Sequence, residues 1–478
     1  MLQLEPNKVW RHFSLLCATP RPSKQEDALR RKIADWAAAR GLEHEIDPAG
    51  NLLIRKPASQ GRESEPAVAL QAHLDMVCQA NSGTAHDFSK DPITPVVKDG
   101  WLVAENTTLG ADNGIGVAMA LAALEDETLS HPPLEILLTI DEEAGMSGAN
   151  GLAPGILKAT RMLNLDTEEW GEFYLGCAGG CDVNVSRQLG LETAPQGHVF
   201  RRIVLSGMRG GHSGIDIHRG RGNANKALVR FLREHDRVGR LRLAAFSGGT
   251  ARNALPREAW AVVAMAPQDE SAWRQRLEQF ATLLNDELAD QENGITLSLQ
   301  PAEPQPVLEK SEQQRLLLAL HAAPCGVKRM SGAVAGVVET SNNLGVMGLS
   351  EGRFSANLMV RSLRDSGTAM LAGEIESLFL LAGYTVELSG AYPGWTPNPK
   401  SELLALCQKV YAEEFGAAAA TQVIHAGLEC GIIGAKYPGL DIISFGPTIR
   451  GAHAPGEHVE IASVGRCWQL LTAILAAL

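Results

Sequence analysis

The stretch Val68-Ala-Leu-Gln-Ala-His-Leu-Asp-Met-Val77 says most about how this chain of 478 residues folds. It is an apolar run that carries a His and an Asp near its end, so it predicts a buried strand over 67–77. Residues two apart on a strand project from the same face, which places His73 beside Asp75. The Asp can then accept the second ring N–H of the His and fix the tautomer that binds a metal. Alone the pair is weak evidence, because most such pairs are satisfied polar contacts without function.

Segments of strand length alternate with helical segments around this run. Strands are predicted over 52–55, 134–140 and 159–165, and helices over 26–41 and 116–125. Such alternation is typical of an α/β fold in which helices sandwich a mixed, largely parallel sheet.

A segment rich in turn residues, 189–197, separates this pattern from a long α+β stretch. Within that stretch, 311–390 repeats an order of helix, strand pair, helix and strand, and Asn253 and Asn343 fall at like points of the two copies. Chance similarity between two α+β segments is the alternative. The predicted organisation is a main domain in two segments, 1–188 and 391–478, with an α+β domain of two similar halves, 189–390, inserted between them.

Composition excludes several classes of partner. The chain is 45% hydrophobic and 21% charged, as in ordinary globular proteins, and its net charge is −12. Because no run of Lys or Arg stands out, we expect no nucleic-acid partner. No apolar run reaches about 18 residues, so we expect no membrane span. The eight scattered Cys indicate reduced thiols and a cytoplasmic protein.

Four further acid and His positions follow apolar or Gly-rich segments. Asp112 lies in the Gly-rich turn 109–116, where an N-cap Asp is the plain alternative. Three acids, Asp141 to Glu143, follow the strand predicted over 134–140, and Asp166 follows the next strand. His453 lies in a loop rich in Gly and Pro. One of these acids could be a solvated loop residue, but three carboxylates at one strand end repel each other unless cations hold them.

One acid from each of the three acid sites, taken with the two histidines, gives a set of two imidazoles and three carboxylates. This set suits a pair of Zn²⁺-type ions that share one carboxylate, although the same ligands also serve Mn²⁺ or Co²⁺. Glu142 is then left beside the ions without being a ligand, as a general base requires. The candidate ligands are His73, Asp112, Glu143, Asp166 and His453.

The ordered set resembles the co-catalytic di-zinc peptidase family, which includes glutamate carboxypeptidase, acetylornithine deacetylase, tripeptide aminopeptidase and carnosinase. Other motifs resemble the branch of that family that hydrolyses unblocked Xaa-His dipeptides such as β-alanyl-histidine. The motifs extend from residue 20 to residue 458. Those of the dipeptidase branch are Pro20-Arg-Pro-Ser23, Gly210-Gly-His-Ser-Gly214, Thr340-Ser-Asn-Asn-Leu344, Tyr392-Pro-Gly-Trp-Thr-Pro397 and His425-Ala-Gly-Leu-Glu-Cys-Gly431.

The resemblance implies a role for each metal ligand. Asp112 would bridge two divalent ions, next to a cis peptide bond to Asn113. His73 and Asp166 would hold one ion. Glu143 and His453 would hold the other.

The resemblance also implies the catalytic groups. Glu142 would take a proton from the metal-bridging water and deliver it to the leaving amine, while Asp75 orients the metal-binding His. His212, in the inserted or lid domain, would stabilise the tetrahedral oxyanion. Arg361 would grip the substrate carboxylate, and Asn253 is a further lid candidate.

Several alternatives stay open at this point. Arg361 could make a structural pair, with Arg364 as the true partner of the substrate. Glu429, in a segment that departs from the wider family, is a candidate ligand for the substrate ammonium. The lid must close over the substrate, and both a monomer and a homodimer fit the resemblance. An N-acyl amino acid deacylase and a non-catalytic metal-binding scaffold are the alternative functions.

Overall fold

The computed structural model describes residues 4–236 and 241–478. They fold into two compact units. The first consists of Met1–Gly176, Trp395–Val423 and Leu428–Leu478, and the second of Cys177–Gly394 and Ile424–Gly427.

The α-helices and strands, numbered along the described chain, have the following bounds. The helices are α1 (Asn7–Cys17), α2 (Asp27–Ala38), α3 (Ala111–Glu125), α4 (Ser147–Gly151), α5 (Ala224–Asp236), α6 (Glu270–Glu287), α7 (Lys310–Ala322), α8 (Asp365–Leu381), α9 (Glu402–Phe415), α10 (Glu429–Lys436) and α11 (Ile461–Ala477). The strands are β1 (Glu43–Ile46), β2 (Leu52–Lys56), β3 (Val68–His73), β4 (Val96–Lys98), β5 (Trp101–Val103), β6 (Leu134–Thr139), β7 (Arg161–Asn164), β8 (Glu172–Cys177), β9 (Gly179–Gln188), β10 (Leu191–Glu192), β11 (Val199–Ser206), β12 (Gly211–His212), β13 (Arg242–Gly248), β14 (Ala254–Leu255), β15 (Ala259–Met265), β16 (Thr296–Pro301), β17 (Val307–Leu308), β18 (Gly326–Met330), β19 (Val338–Ser350), β20 (Arg353–Ser362), β21 (Thr385–Tyr392), β22 (Ala420–Ile424), β23 (Asp441–Ser444), β24 (Ile449–Arg450) and β25 (His458–Glu460).

The first unit is built on an eight-stranded sheet with the order β1-β2-β6-β3-β7-β23-β8-β22. Its centre is parallel, because β3 pairs in parallel with β6 and β7, and β7 with β23. Antiparallel pairs flank this centre, β1 with β2 and β2 with β6 on one side and β23 with β8 on the other. The mixed α/β class predicted from the sequence is confirmed, with the parallel strands confined to the middle of the sheet.

Strand β3 shows why this sheet is buried on both faces. All six of its residues are buried, as are those of β6, which is the pattern of a parallel strand covered by helices on each side. Val68, Leu70 and Ala72 join the apolar core that includes residues of α1 and α3. The alternate residues, among them Gln71 and His73, therefore project from the other face.

The second unit contains a sheet with the order β16-β11-β15-β13-β19-β20-β9-β21, in which β18 also pairs with β19. The two halves have the same layout. In chain order the main strands are β11, β13, β15 and β16 in the first half, and β9, β19, β20 and β21 in the second. In each half the fourth strand pairs with the first, the first with the third, and the third with the second. The halves meet where β13 pairs with β19. The second unit has its own apolar core, which includes Phe231, Trp273 and Phe379.

The unit boundaries differ from those predicted at 188/189 and 390/391. The second unit begins at Cys177, because β9 pairs along its whole length with β20 and also with β21. That pairing joins residues far apart in sequence, and the segment 189–197, which includes β10, lies within the second unit. None of the helices within the described residues is long and apolar enough to cross a membrane.

Candidate metal centre

Three neighbouring parallel strands deliver the acid and His side chains to one edge of the first unit. His73 ends β3, Glu142 and Glu143 follow β6, and Asp166 follows β7. The carboxyl ends of adjacent parallel strands lie at the same edge of a sheet, so these side chains meet there. The first turn of α3 adds Asp112, and the loop between β24 and β25 adds the fifth candidate ligand, His453.

Asp112 stands between the two imidazoles. Its Oδ1 lies 3.2 Å from Nε2 of His73, and its Oδ2 lies 3.2 Å from Nε2 of His453. Asp166 Oδ1 lies 3.2 Å from the first of these imidazoles, and Glu143 Oε2 lies 3.1 Å from the second. The structure therefore groups the predicted ligands in two sets that share one carboxylate. The peptide bond that follows Asp112 is cis.

The distances fit divalent ions better than hydrogen bonds alone. The single Nε2 of His73 faces carboxylate oxygens of both Asp112 and Asp166, although one N–H can point well at only one of them. Ligand atoms around a tetrahedral Zn²⁺ lie about 3.3 Å apart, given bonds of about 2.0–2.1 Å. The side chain of His453 is 54% exposed, so the cluster can be reached from solvent.

Glu142 lies within the same cluster of carboxylates and imidazole around His73. Burial raises the pKa of Glu142 well above its usual range, although the charge of His73 acts to lower it, and the carboxylates of Asp166 and Glu143 add to the rise. A carboxylate whose proton affinity is raised can accept a proton from water near neutral pH.

Asp75 connects the His to the acid loop. Its Oδ1 lies 3.3 Å from Nδ1 of His73, and its two oxygens accept the backbone N–H groups of Glu142 (3.0 Å) and Glu143 (3.1 Å). Ser23 donates its hydroxyl to the same carboxylate at 2.7 Å. Burial acts to raise the pKa of Asp75, but the hydrogen bonds, led by that of the His, bring it to about 2. The residue therefore orients both a candidate ligand and the candidate base.

Two buried side chains that no sequence motif identified as functional hold the loop of Asp112. Glu457 accepts the backbone N–H groups of Leu109, Gly110, Ala111 and Asp112 at 2.7–3.2 Å. Arg21 donates to the backbone carbonyls of Leu74, Asp75 and Gly110. Arg21 stood in the motif Pro20-Arg-Pro-Ser23, and Glu457 lies at the end of the loop of His453. Only burial of their charges could have signalled the role, and burial is not visible in a sequence.

Glu429, a candidate ligand for the substrate ammonium in the sequence, has a buried side chain. Its side chain is 0% exposed, and its Oε2 accepts hydrogen bonds from Gln71 (2.7 Å) and Thr139 (2.5 Å). The first residue of α10 therefore bonds to buried side chains of β3 and β6.

In the second unit, His212 has a defined tautomer. Its Nδ1 accepts the backbone N–H groups of Gly214 (3.2 Å) and Ile215 (3.1 Å). The ring proton therefore resides on Nε2, which becomes a donor. Burial, followed by the charge of Arg361, lowers the pKa of His212 to about 4, so the ring is neutral at pH 7. The neutral ring thus keeps an Nε2–H donor, which is a group that can stabilise an oxyanion.

Asn253 lies directly beside this histidine. Strand β12 pairs with β14, and the carbonyl of Asn253 accepts the N–H of Ser213 at 2.8 Å. Asn343, which the sequence placed at a like point of the second half, donates to the carbonyls on either side of it, those of Arg252 and Ala254. The side chain of Asn253 itself is exposed.

Arg361 is 5% exposed and donates to the hydroxyl of Tyr392 at 2.8 Å. Among residues 4–236 and 241–478 no carboxylate lies within ion-pair distance of this guanidinium, and its hydrogen bond to Tyr392 is a structural contact. Arg364 is exposed and lies 3.6 Å from Glu339. A buried guanidinium that faces no carboxylate is suited to an anionic ligand.

His425 is a further buried group near Arg361. Ser341, the cross-strand partner of Arg361, contacts Nε2 of His425 through its hydroxyl at 2.8 Å. Burial, followed by the charge of Arg361, lowers the pKa of His425 to about 3.

The chain is similar to proteins of a known family and to solved structures. Residues 69–477 match the model of the peptidase family M20/M25/M40. The chain is 46% identical over 474 residues to the cytosol non-specific dipeptidase of Escherichia coli, covering 99% of this chain and 98% of the relative. A crystal structure of aminoacylhistidine dipeptidase from Vibrio alginolyticus is 45% identical with a TM-score of 0.91, covering 100% of this chain and 97% of that chain. The aminopeptidase PepT of Bacillus cereus shares the fold at 15% identity, with a TM-score of 0.57 and 99% of both chains covered.

Proposed function

Because the chain belongs to the peptidase family M20/M25/M40, we propose that it is a metal-dependent dipeptidase that hydrolyses unblocked dipeptides, Xaa-His among them. The observation that carries the proposal is the pair of His–carboxylate groups joined through Asp112, with Glu142 beside them. The names of the two similar proteins, a non-specific dipeptidase and an aminoacylhistidine dipeptidase, support a range of substrates wider than Xaa-His alone.

The ligand set is suited to two divalent ions, with Zn²⁺ the best match and Mn²⁺ or Co²⁺ as alternatives. His73, Asp166 and one oxygen of Asp112 would hold one ion. Glu143, His453 and the other oxygen of Asp112 would hold the second. When bound, such ions polarise the scissile carbonyl and lower the pKa of water.

The side chains of the protein supply proton transfer and orientation. Glu142 accepts a proton from the attacking water at its carboxylate and returns it to the leaving amine. His212 donates its Nε2–H to the oxyanion as it forms. Arg361 binds the carboxylate of the C-terminal residue, and Asn253 presents its exposed amide near the oxyanion donor.

A substrate panel tests the proposal. The holoprotein, the chelator-treated protein and the protein restored with Zn²⁺, Mn²⁺ or Co²⁺ are assayed on β-alanyl-histidine, on Xaa-His and Xaa-Leu dipeptides, and on N-acetyl amino acids. We expect metal-dependent release of the C-terminal residue from unblocked dipeptides, and none from the Glu142→Ala protein. Hydrolysis of the N-acetyl substrates alone would favour the deacylase, and no hydrolysis with metal still bound would favour the scaffold.

A further inference from the structure

The strands that carry the candidate ligands also carry a second set of polar side chains. Gln71 on β3, Thr139 on β6 and Asn164 on β7 are each 0% exposed. Gln71 stands two residues before His73, and Asn164 stands two residues before Asp166. A polar side chain so deep in a sheet is unfavourable unless it has partners, so this set needs an explanation.

The register of the sheet places these groups on one face, either beside the candidate ligands or one step behind them along the strands. Gln71 lies opposite Asn164 on β7, and His73 lies opposite Thr139 on β6. Residues two apart on a strand share a face, so Gln71, Thr139 and Asn164 project from the same face as His73.

Glu429 joins the strands of this layer. Its Oε2 accepts one hydrogen bond from β3 through Gln71 and one from β6 through Thr139. The oxygen of the Gln71 amide accepts in turn from the amide of Asn164 on β7. Ser444 on β23 donates to the amide oxygen of Asn164. One buried carboxylate therefore anchors a chain of hydrogen bonds across four adjacent strands.

We propose that Glu429 is a positioning residue for the metal centre. Its carboxylate accepts hydrogen bonds from Gln71 on β3 and Thr139 on β6 and so holds these two strands together. Gln71 in turn bonds to Asn164 and extends the connection to β7. The distances between His73, Asp166 and the acid loop after β6 are thereby set before an ion binds. The inference rests on the proposed ligand set and not on the choice of peptide substrate.

Zn²⁺ affinity measured by competition with a chromophoric chelator tests this role, with circular dichroism as the check of folding. Glu429→Ala should weaken affinity by about 10- to 100-fold, as changes behind metal ligands typically do. Glu429→Gln should stay within about threefold of the parent, because its amide oxygen can accept the same two hydrogen bonds.

Glu135→Ala is the matched control. Glu135 is a buried acid at the other end of β6, and it accepts the backbone N–H groups of Lys158 (2.8 Å) and Ala159 (2.9 Å). Its replacement should lower the unfolding temperature and leave Zn²⁺ affinity unchanged.

Three results would overturn the proposal: parental affinity in Glu429→Ala, equal losses in the Ala and Gln variants, or an equal loss in Glu135→Ala. If Glu429→Ala does not fold, Thr139→Val decides, since it removes one donor at nearly constant shape. A loss of about threefold or more supports the role, and parental affinity overturns it. Because metal binding is measured, a failure here is distinguishable from a failure of the dipeptidase proposal.

Discussion

The backbone N–H of Glu142 donates to the carboxylate of Asp75. This contact fixes the backbone of Glu142 and leaves the Glu142 side chain available for proton transfer. We expect Glu142→Gln to lower kcat by about 10²- to 10⁴-fold, because the amide keeps the shape but cannot accept a proton. Bound metal, measured by atomic absorption, should not change. The exposed Glu127→Gln serves as the control, and a loss of metal that parallels the loss of activity would instead make Glu142 a ligand.

Arg361 tests recognition of the substrate carboxylate. A hydrogen bond to a charged group contributes about 1.5–3 kcal/mol, which corresponds to about 10- to 150-fold in binding. Arg361→Met should therefore raise KM for a dipeptide by about that factor and have a smaller effect on its C-terminal amide. The measurement is kcat and KM for both substrates.

Arg364→Met is the control for Arg361, since that side chain is exposed and lies near Glu339. If Arg364→Met raises KM for the dipeptide while Arg361→Met does not, the assignment of the two arginines is reversed.

The turn into α3 is the element on which the position of Asp112 depends. Gly110 has φ of +69°, and a Cβ there would come within 2.4 Å of the Arg21 guanidinium and 2.8 Å of Met76 Sδ. Gly110→Ala should therefore lower the free energy of unfolding by more than the roughly 1–2 kcal/mol that left-handed backbone costs other residues. Urea titration of the metal-free protein measures the change.

Gly155→Ala separates backbone conformation from packing. Gly155 also has positive φ, +86°, but a Cβ at that position meets nothing within 4 Å. The control should show the conformational cost alone. Equal losses in both variants would mean that the contact with Arg21 is relieved at no cost.

Buried histidines couple the stability of the whole chain to pH. The pKa of His425 is lowered from 6.5 to about 3, so the folded protein binds fewer protons than the unfolded chain between those values. Stability is therefore fully present above pH 6.5 and is lost as pH falls toward 3. At pH 5 the loss from this one residue is up to about 2 kcal/mol.

His425→Asn removes this titration and retains a group that can bond to Ser341. The drop in the urea midpoint of the metal-free protein between pH 7 and pH 5 should be smaller in the variant than in the parent. An identical drop would show that His425 becomes protonated without cost in the folded chain.

The sequence predicted the central strands well because their signal is local. An apolar run of strand length, followed by an acid or a His, identifies β3, β6 and β7 and their polar ends within about ten residues each. Asp112 and His453 were identified instead from segments rich in Gly or Pro. Predicted strands extended past the observed ends, as over 67–77, since apolar composition continues into loops that lie against the core.

Long-range contacts account for what the sequence analysis did not find. The membership of β9 in the second unit follows from its pairing with β20, whose residues lie more than 150 positions further along. The clamp of Glu457 on the loop of Asp112 likewise spans |i−j| = 345. Whether a charged residue in a loop is solvated or buried depends on such contacts.

Local pattern in the chain was thus enough to predict the fold class and to propose candidate ligands in their order, because period and residue chemistry can be read from short segments. The hydrogen bonds that set the tautomer of His212 came only with folding. So did the burial of Glu429, since each depends on atoms brought together from distant parts of the chain, whose contacts no short segment specifies.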